Sequence, residues 1–160
     1  IFLRRKQIMA KNGFSMSKRV AVENIGDDKN LTVNDCGKVF IVGEVNAADG
    51  GTLKITLPSH IDAETGWNAT FVMESSSYSS AVTWSGSGDT PGFPPFDLYS
   101  STLQSAATDD SSKYDQAATF TIPATVLKTG DKVEIVNVSG ALLGFRWNAR
   151  AITSGALTTT

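Results

Sequence analysis

Thr52-Leu53-Lys54-Ile55-Thr56-Leu57-Pro58 decides how the rest of this 160-residue chain is read. Leu53, Ile55 and Leu57 fall on one side of an extended backbone and Thr52, Lys54 and Thr56 on the other, which is the two-residue period of a half-buried β-strand. Asp49-Gly50-Gly51 leads into it as a turn, and Pro58 ends it by withdrawing a ladder donor.

The same period recurs on both sides. Arg19 to Ile25 alternates until Gly26-Asp27-Asp28 stops it, and Lys38 to Val42 follows the Asn34-Asp35-Cys36-Gly37 turn as a nearly continuous apolar strand. Ala69 to Glu74 and Ala81 to Trp84 flank a serine-rich turn, Ser75 to Ser80, and together predict a hairpin. Thr119 to Pro123 and Lys132 to Val138 alternate cleanly, and Leu143 to Ile152 completes the set. Between these lie a polar loop from His60 to Gly66 and a small polar tail from Thr153 to Thr160. Ser85 to Ala118 has no sustained period and reads as one long loop, with a turn or two of helix over Leu98 to Ala107.

About eight short strands at regular spacing predict an all-β fold, a β-sandwich or partly closed barrel with an extended N-terminal arm. Residues 1–30 form the arm and first strand, and residues 31–160 a single β domain with a long loop at 85–118. Hydrophobic residues at 41% and charged residues at 19% fit a globular body, and a chain this long can bury a core without staples. The one cysteine, Cys36, excludes an intrachain disulfide. No apolar run nears the roughly 20 residues needed to cross a bilayer, so a soluble protein without membrane passage is expected.

Charge is unevenly placed. Arg4, Arg5, Lys6, Lys11, Lys18 and Arg19 all precede the first acid, Glu23; removing these six from the 14 bases leaves eight against 16 acids, so the body carries about −8. Such an arm suits an acidic protein surface or nucleic acid, with a solvated terminus as the plain alternative. Arg4-Arg5-Lys6-Gln7-Ile8-Met9 also back-translates to a bacterial ribosome-binding site ahead of a start codon. The expectation is therefore that the natural protein starts at Met9, which removes three of the six charges and weakens the nucleic-acid reading.

A catalytic centre is hard to assemble. His60 is the sole histidine, without partners at metal-ligand spacing, and a Ser-His-Asp triad would need that same residue. Gly86-Ser87-Gly88 is loop composition and not a nucleophile elbow. Asp27-Asp28, Asp109-Asp110 and Asp62 with Glu64 read as solvated turns, with calcium binding as the alternative. No phosphate-cradling motif occurs. No enzyme, metal or cofactor is expected. Trp84 and Trp147 fall within strand patterns and are expected in the core, whereas Trp67, Phe93, Phe96 and Tyr99 are candidates for a ligand or partner loop. Three glycosylation sequons begin at Asn30, Asn68 and Asn137 and read as chance matches in a chain rich in Ser and Thr.

The segments Leu31 to Phe40, Ile55 to Pro58, Gly66 to Phe71, Gly130 to Val136 and Phe145 to Ala151, in that order, resemble a family of small virion proteins of tailed bacteriophages. These are similar to capsid decoration (cement) proteins and to head or tail fibre domains. The resemblance runs from about Leu31 to the C terminus and departs from the family's pattern at the Ser85 to Ala118 insertion. It implies a β domain on the surface of the capsid, a homotrimer at local three-fold positions, whose N-terminal segment grips the major capsid protein. Lys11, Phe14, Met16, Lys18, Arg19, Val20 and Val22 are the expected shell contacts. No nucleic-acid partner is then expected. The alternative is a tail or head fibre module that binds host surface polysaccharide through Trp67 or the aromatic loop. Hundreds of copies per particle favour decoration, and a few favour a fibre. A polysaccharide depolymerase ranks third, since no acid pair or histidine constellation can be placed across a groove. Intact mass of protein from its native source is expected to correspond to a chain beginning at Met9; a mass that includes Ile1 to Ile8 contradicts this.

Overall fold

A computed structural model describes residues 20–43, 52–75, 78, 80–86, 96–100, 103–104, 114–138 and 147–159. In it the alternation of Thr52–Thr56 becomes a strand with Leu53 and Ile55 buried and Lys54 exposed. The described residues form thirteen strands: β1 (Val22–Ile25), β2 (Lys29–Asn30), β3 (Val39–Val42), β4 (Thr52–Thr56), β5 (Asn68–Met73), β6 (Ala81–Ser85) and β7 (Phe96–Ser100), then β8 (Leu103–Gln104), β9 (Tyr114–Ala117), β10 (Thr119–Ile122), β11 (Lys132–Asn137), β12 (Trp147–Ile152) and β13 (Leu157–Thr159). A 3₁₀ turn at Val33–Asp35 and a one-turn helix α1 (His60–Ala63) are the other regular pieces.

The strands divide between a seven-stranded sheet, ordered β1-β3-β5-β11-β12-β7-β9, and a six-stranded sheet, ordered β2-β4-β6-β10-β13-β8. The fold is all-β, two mixed sheets that do not close into a barrel. From β1 to β10 each strand is followed by one in the opposite sheet. The first six strands therefore wind as three coils, with β1, β3 and β5 parallel in one sheet and β2, β4 and β6 parallel in the other. Parallel neighbours need a long crossover; here the crossover is itself a strand of the facing sheet.

One apolar layer lies between the sheets. Phe40 stacks on Phe71 at 5.3 Å, Phe71 meets Trp84 edge-on at 5.7 Å, Trp84 stacks on Phe120 at 5.0 Å, and Phe120 receives Phe96 edge-on at 5.1 Å. That series crosses from one sheet to the other at Phe71–Trp84 and back at Phe120–Phe96. Each offset or edge-on pair adds about 0.5–1.5 kcal/mol to the area it buries. Two polar ties sit at the margins. Buried Asp131 accepts hydrogen bonds from Lys128 N (3.0 Å), Ser154 N (2.9 Å) and Ser154 Oγ (2.8 Å), which fastens the turn before β11 to the turn before β13. Gly130, at φ +92°, provides the left-handed residue that this turn requires. Tyr78 donates its hydroxyl to Val42 O at 2.8 Å, and burial pushes its pKa up to about 12.

Several expectations change. Ala69 to Glu74 and Ala81 to Trp84 are not a hairpin: β5 and β6 belong to opposite sheets, so the serine-rich segment crosses between layers. Residues 85–118 are not one structureless loop, since β7, β8 and β9 lie within them and β7 is an internal strand between β12 and β9. Leu98, expected to start a helical turn, is a buried β7 residue. The polar tail contains β13, whose Leu157 is fully buried. Replacing Ile55 with Asp places an unpaired carboxylate in the apolar layer, a cost comparable with the roughly 5–15 kcal/mol that holds a domain folded. Loss of cooperative unfolding in denaturant titration is expected; an unchanged midpoint contradicts the strand phase.

Candidate functional site

Among the described residues β1 pairs with β3 alone, so its outer side is an open sheet edge. The ladder fixes which groups face outward. Val39 N donates to Ala21 O at 2.9 Å and Gly43 N to Ile25 O at 3.3 Å, so in this parallel register Ala21, Glu23 and Ile25 turn their main-chain groups towards β3. Val22 and Asn24 turn theirs away from the sheet. Their side chains lie on the outer face of the seven-stranded sheet, where Val22 is opposite Val39 and Asn24 opposite Ile41. Val20 is 60% exposed and Val22 64% exposed, two of the four large exposed apolar side chains among the described residues.

The opposite face of β1 is charged. Glu23 is level with core residue Phe40 and Lys29 of β2 with core residue Ile55, so both point into the space between the sheets at its open end. Lys29 Nζ reaches Glu23 Oε1 at 2.5 Å and joins the margin of one sheet to the margin of the other. Lys38 Nζ reaches Glu23 Oε2 at 3.0 Å and Asp35 Oδ1 at 2.7 Å, while Asp35 Oδ2 accepts from Thr32 N at 2.8 Å. Inward-pointing charge is a known way to stop a sheet from growing by indiscriminate edge pairing.

Hydrogen bonds from Lys29 and Lys38 hold Glu23 below the usual carboxylate range. Burial alone would raise Asp35, but hydrogen bonds from Lys38 and Thr32 outweigh it and leave its pKa lowered. Lys38 is raised by its bonds to Asp35 and Glu23.

Among the described residues, those singled out from sequence do not gather in one place. Val20 and Val22 stand at the β1 edge, while Lys11, Phe14, Met16, Lys18, Arg19 and Phe93 lie outside the described residues. Trp67 is corrected: it is 3% exposed, its indole N–H donates to Val33 O at 3.2 Å, and its ring meets Trp147 edge-on at 5.4 Å, so it offers no platform to a ligand. Phe96 is corrected likewise, being fully buried in β7. The backbone of Tyr99 is an inner part of the same sheet, level with Arg150 and Tyr114. The Asn137 sequon is closed, because that side chain is buried and donates to His60 O at 3.1 Å.

An open groove of about 670 Å³ lies between the 3₁₀ turn and α1, lined by Leu31, Thr32, Val33, Pro58, Ser59, Asp62 and Glu64. Glu64 takes a left-handed φ of 59° there. Among the described residues, no group of three or more His, Cys, Asp or Glu side chains gathers to hold a metal. Sequence reading missed the charged clamp of Glu23, Lys29, Lys38 and Asp35. The available signal was charge at core-phase positions of β1 and β2, visible only once the register is known. Comparison with protein-family models, with curated proteins and with solved structures found no match.

The clamp makes stability pH-dependent. Lowered carboxylates contribute stability that is present above their ordinary values of 4.5 and 3.8 and is lost as the pH falls through their lowered ones. Lys38 works from the other side: its share is present below 10.5 and is lost as the pH rises through its raised value. Glu23→Gln is therefore expected to flatten the fall of the denaturation midpoint between about pH 5 and pH 3. An acid limb as steep as the wild type's contradicts a stabilising role for Glu23.

Proposed function

We propose that the chain is a structural virion protein that decorates the outer surface of a bacteriophage head. It binds the major capsid protein through Met9 to Ile25 and stabilises contacts between capsomers. The observation that carries this reading is the open edge of β1, which follows directly in sequence on the basic segment and bears exposed Val20 and Val22. An edge with outward N–H and C=O groups gains affinity by main-chain addition, and apolar side chains beside it add area. Adhesion of this kind requires no catalyst; it requires a rigid body behind the contact, and the clamped end between β1 and β2 meets that need.

The polysaccharide-binding alternative is weakened by the burial of Trp67 and Phe96, two of the rings on which a sugar could have stacked. Deleting Met9 to Lys18 is expected to abolish binding to decoration-free particles while leaving the thermal unfolding of the β body unchanged. Stoichiometric binding by the truncated chain contradicts the proposal.

A further inference from the structure

The groove between the 3₁₀ turn and α1 is separate from the β1 edge, since none of its lining residues belongs to that strand. Its two walls come from different segments, residues 31–33 on one side and residues 58–64 on the other. Buried Trp67 fixes both: its indole N–H donates to Val33 O at 3.2 Å, and its main-chain N–H donates to Glu64 O at 3.3 Å. Each wall also has its own tie to the body. Leu31 N donates to Thr56 O at 2.8 Å, and Asn137 Nδ2 donates to His60 O at 3.1 Å. The groove therefore exists before anything enters it, and an occupant does not have to order its walls.

Two chemistries meet in the lining. Leu31, Val33 and Pro58 form its apolar part, in which Val33 is 41% exposed. Asp62 and Glu64 add two exposed carboxylates, and no base stands among the lining residues. Glu23, Asp35 and Glu134 each have a lysine partner, whereas neither Asp62 nor Glu64 is in an ion pair among the described residues. An aliphatic stem that ends in a cation matches both parts at once: the stem covers Val33 and the head meets the carboxylates. The groove is open to solvent, which suits a side chain presented by a larger molecule better than an enclosed small ligand.

We propose that this groove docks a lysine or arginine side chain of a partner protein. The inference does not rest on the virion assignment, and its failure leaves that assignment as it stands.

The test titrates the full chain with a short blocked peptide of alternating Arg and Ser, and with the counterpart in which Glu replaces Arg, followed by residue-resolved NMR. Saturable shifts at Val33, Asp62 and Glu64 are expected with the basic peptide and none with the acidic one. Asp62→Asn combined with Glu64→Gln, both at exposed positions, is expected to keep the melting temperature and to weaken affinity about tenfold or more. Val33→Ser leaves both carboxylates in place and is expected to weaken the binding that persists at high salt, where exposed charges are screened. Shifts spread evenly over Asp27, Asp28 and Glu134 overturn the proposal, since they report attraction to the acidic surface at large. So does the absence of saturable shifts in the groove, an unchanged affinity in the Asp62→Asn, Glu64→Gln variant, or binding that Val33→Ser does not alter.

Discussion

A single apolar layer shared by two sheets is the constraint from which the rest of this architecture follows. Because the strands from β1 to β11 alternate between the sheets, neither sheet can form alone: β3 and β5 become neighbours only if β4 lies across from them. The aromatic series Phe40, Phe71, Trp84, Phe120 and Phe96 holds the layers together and spans the molecule from the wound first half to the later strands. Most native contacts are therefore distant in sequence, which favours slow, cooperative folding over stepwise assembly of hairpins.

A layer of this kind has to end somewhere, and the two ends of a coil present the same difficulty: an edge with free main-chain groups above an apolar interior. At the β1–β2 end the chain meets it with charge. Glu23 and Lys29 occupy positions that would continue the core, and their ion pair closes the gap between sheets while keeping other strands from extending the apolar layer. The outer face has the opposite character. Val20 and Val22 stay exposed beside the free N–H and C=O groups, so the edge is closed to further growth of the core but open to a partner strand. The faces also differ between sheets. The outward residues of β4, β6 and β10 are mostly Thr and Ser, with Thr83 and Thr121 hydrogen-bonded at 2.8 Å, whereas those of β1, β3 and β5 include Val22, Val39, Ile41 and Val72.

Two-residue alternation made the fold class legible, and most strands follow it: Leu53 and Ile55, Phe120 and Ile122, and Val133 and Ile135 are all buried in the expected phase. Alternation says which side of a strand is inward, but it does not say which sheet the strand joins. That is why β5 and β6 looked like a hairpin, since a serine-rich link serves a tight turn and a crossing between layers equally well. The strands β7 and β13 escaped notice for another reason. Phe96 and Leu98 alternate over too short a span, beside a run of Pro and Gly, and Leu157 is a single apolar residue among Thr and Ser. Trp67 shows the limit for individual side chains: its place beside Gly66 suggested exposure, yet a carbonyl at Val33 and the edge of Trp147 draw it inward. Of the candidate site, the sequence exposed Val20 and Val22; the clamp depended on register and stayed hidden.

Residue-resolved amide hydrogen exchange on dilute protein measures the openness of β1 directly. Exchange is expected to alternate along this short strand: slow at Glu23 and Ile25, whose N–H groups face β3, and fast at Val22 and Asn24, whose N–H groups face outward. Slow exchange at all four positions would mean that the edge is already covered, and fast exchange at all four would mean that β1 is not held in the sheet; either result contradicts the account.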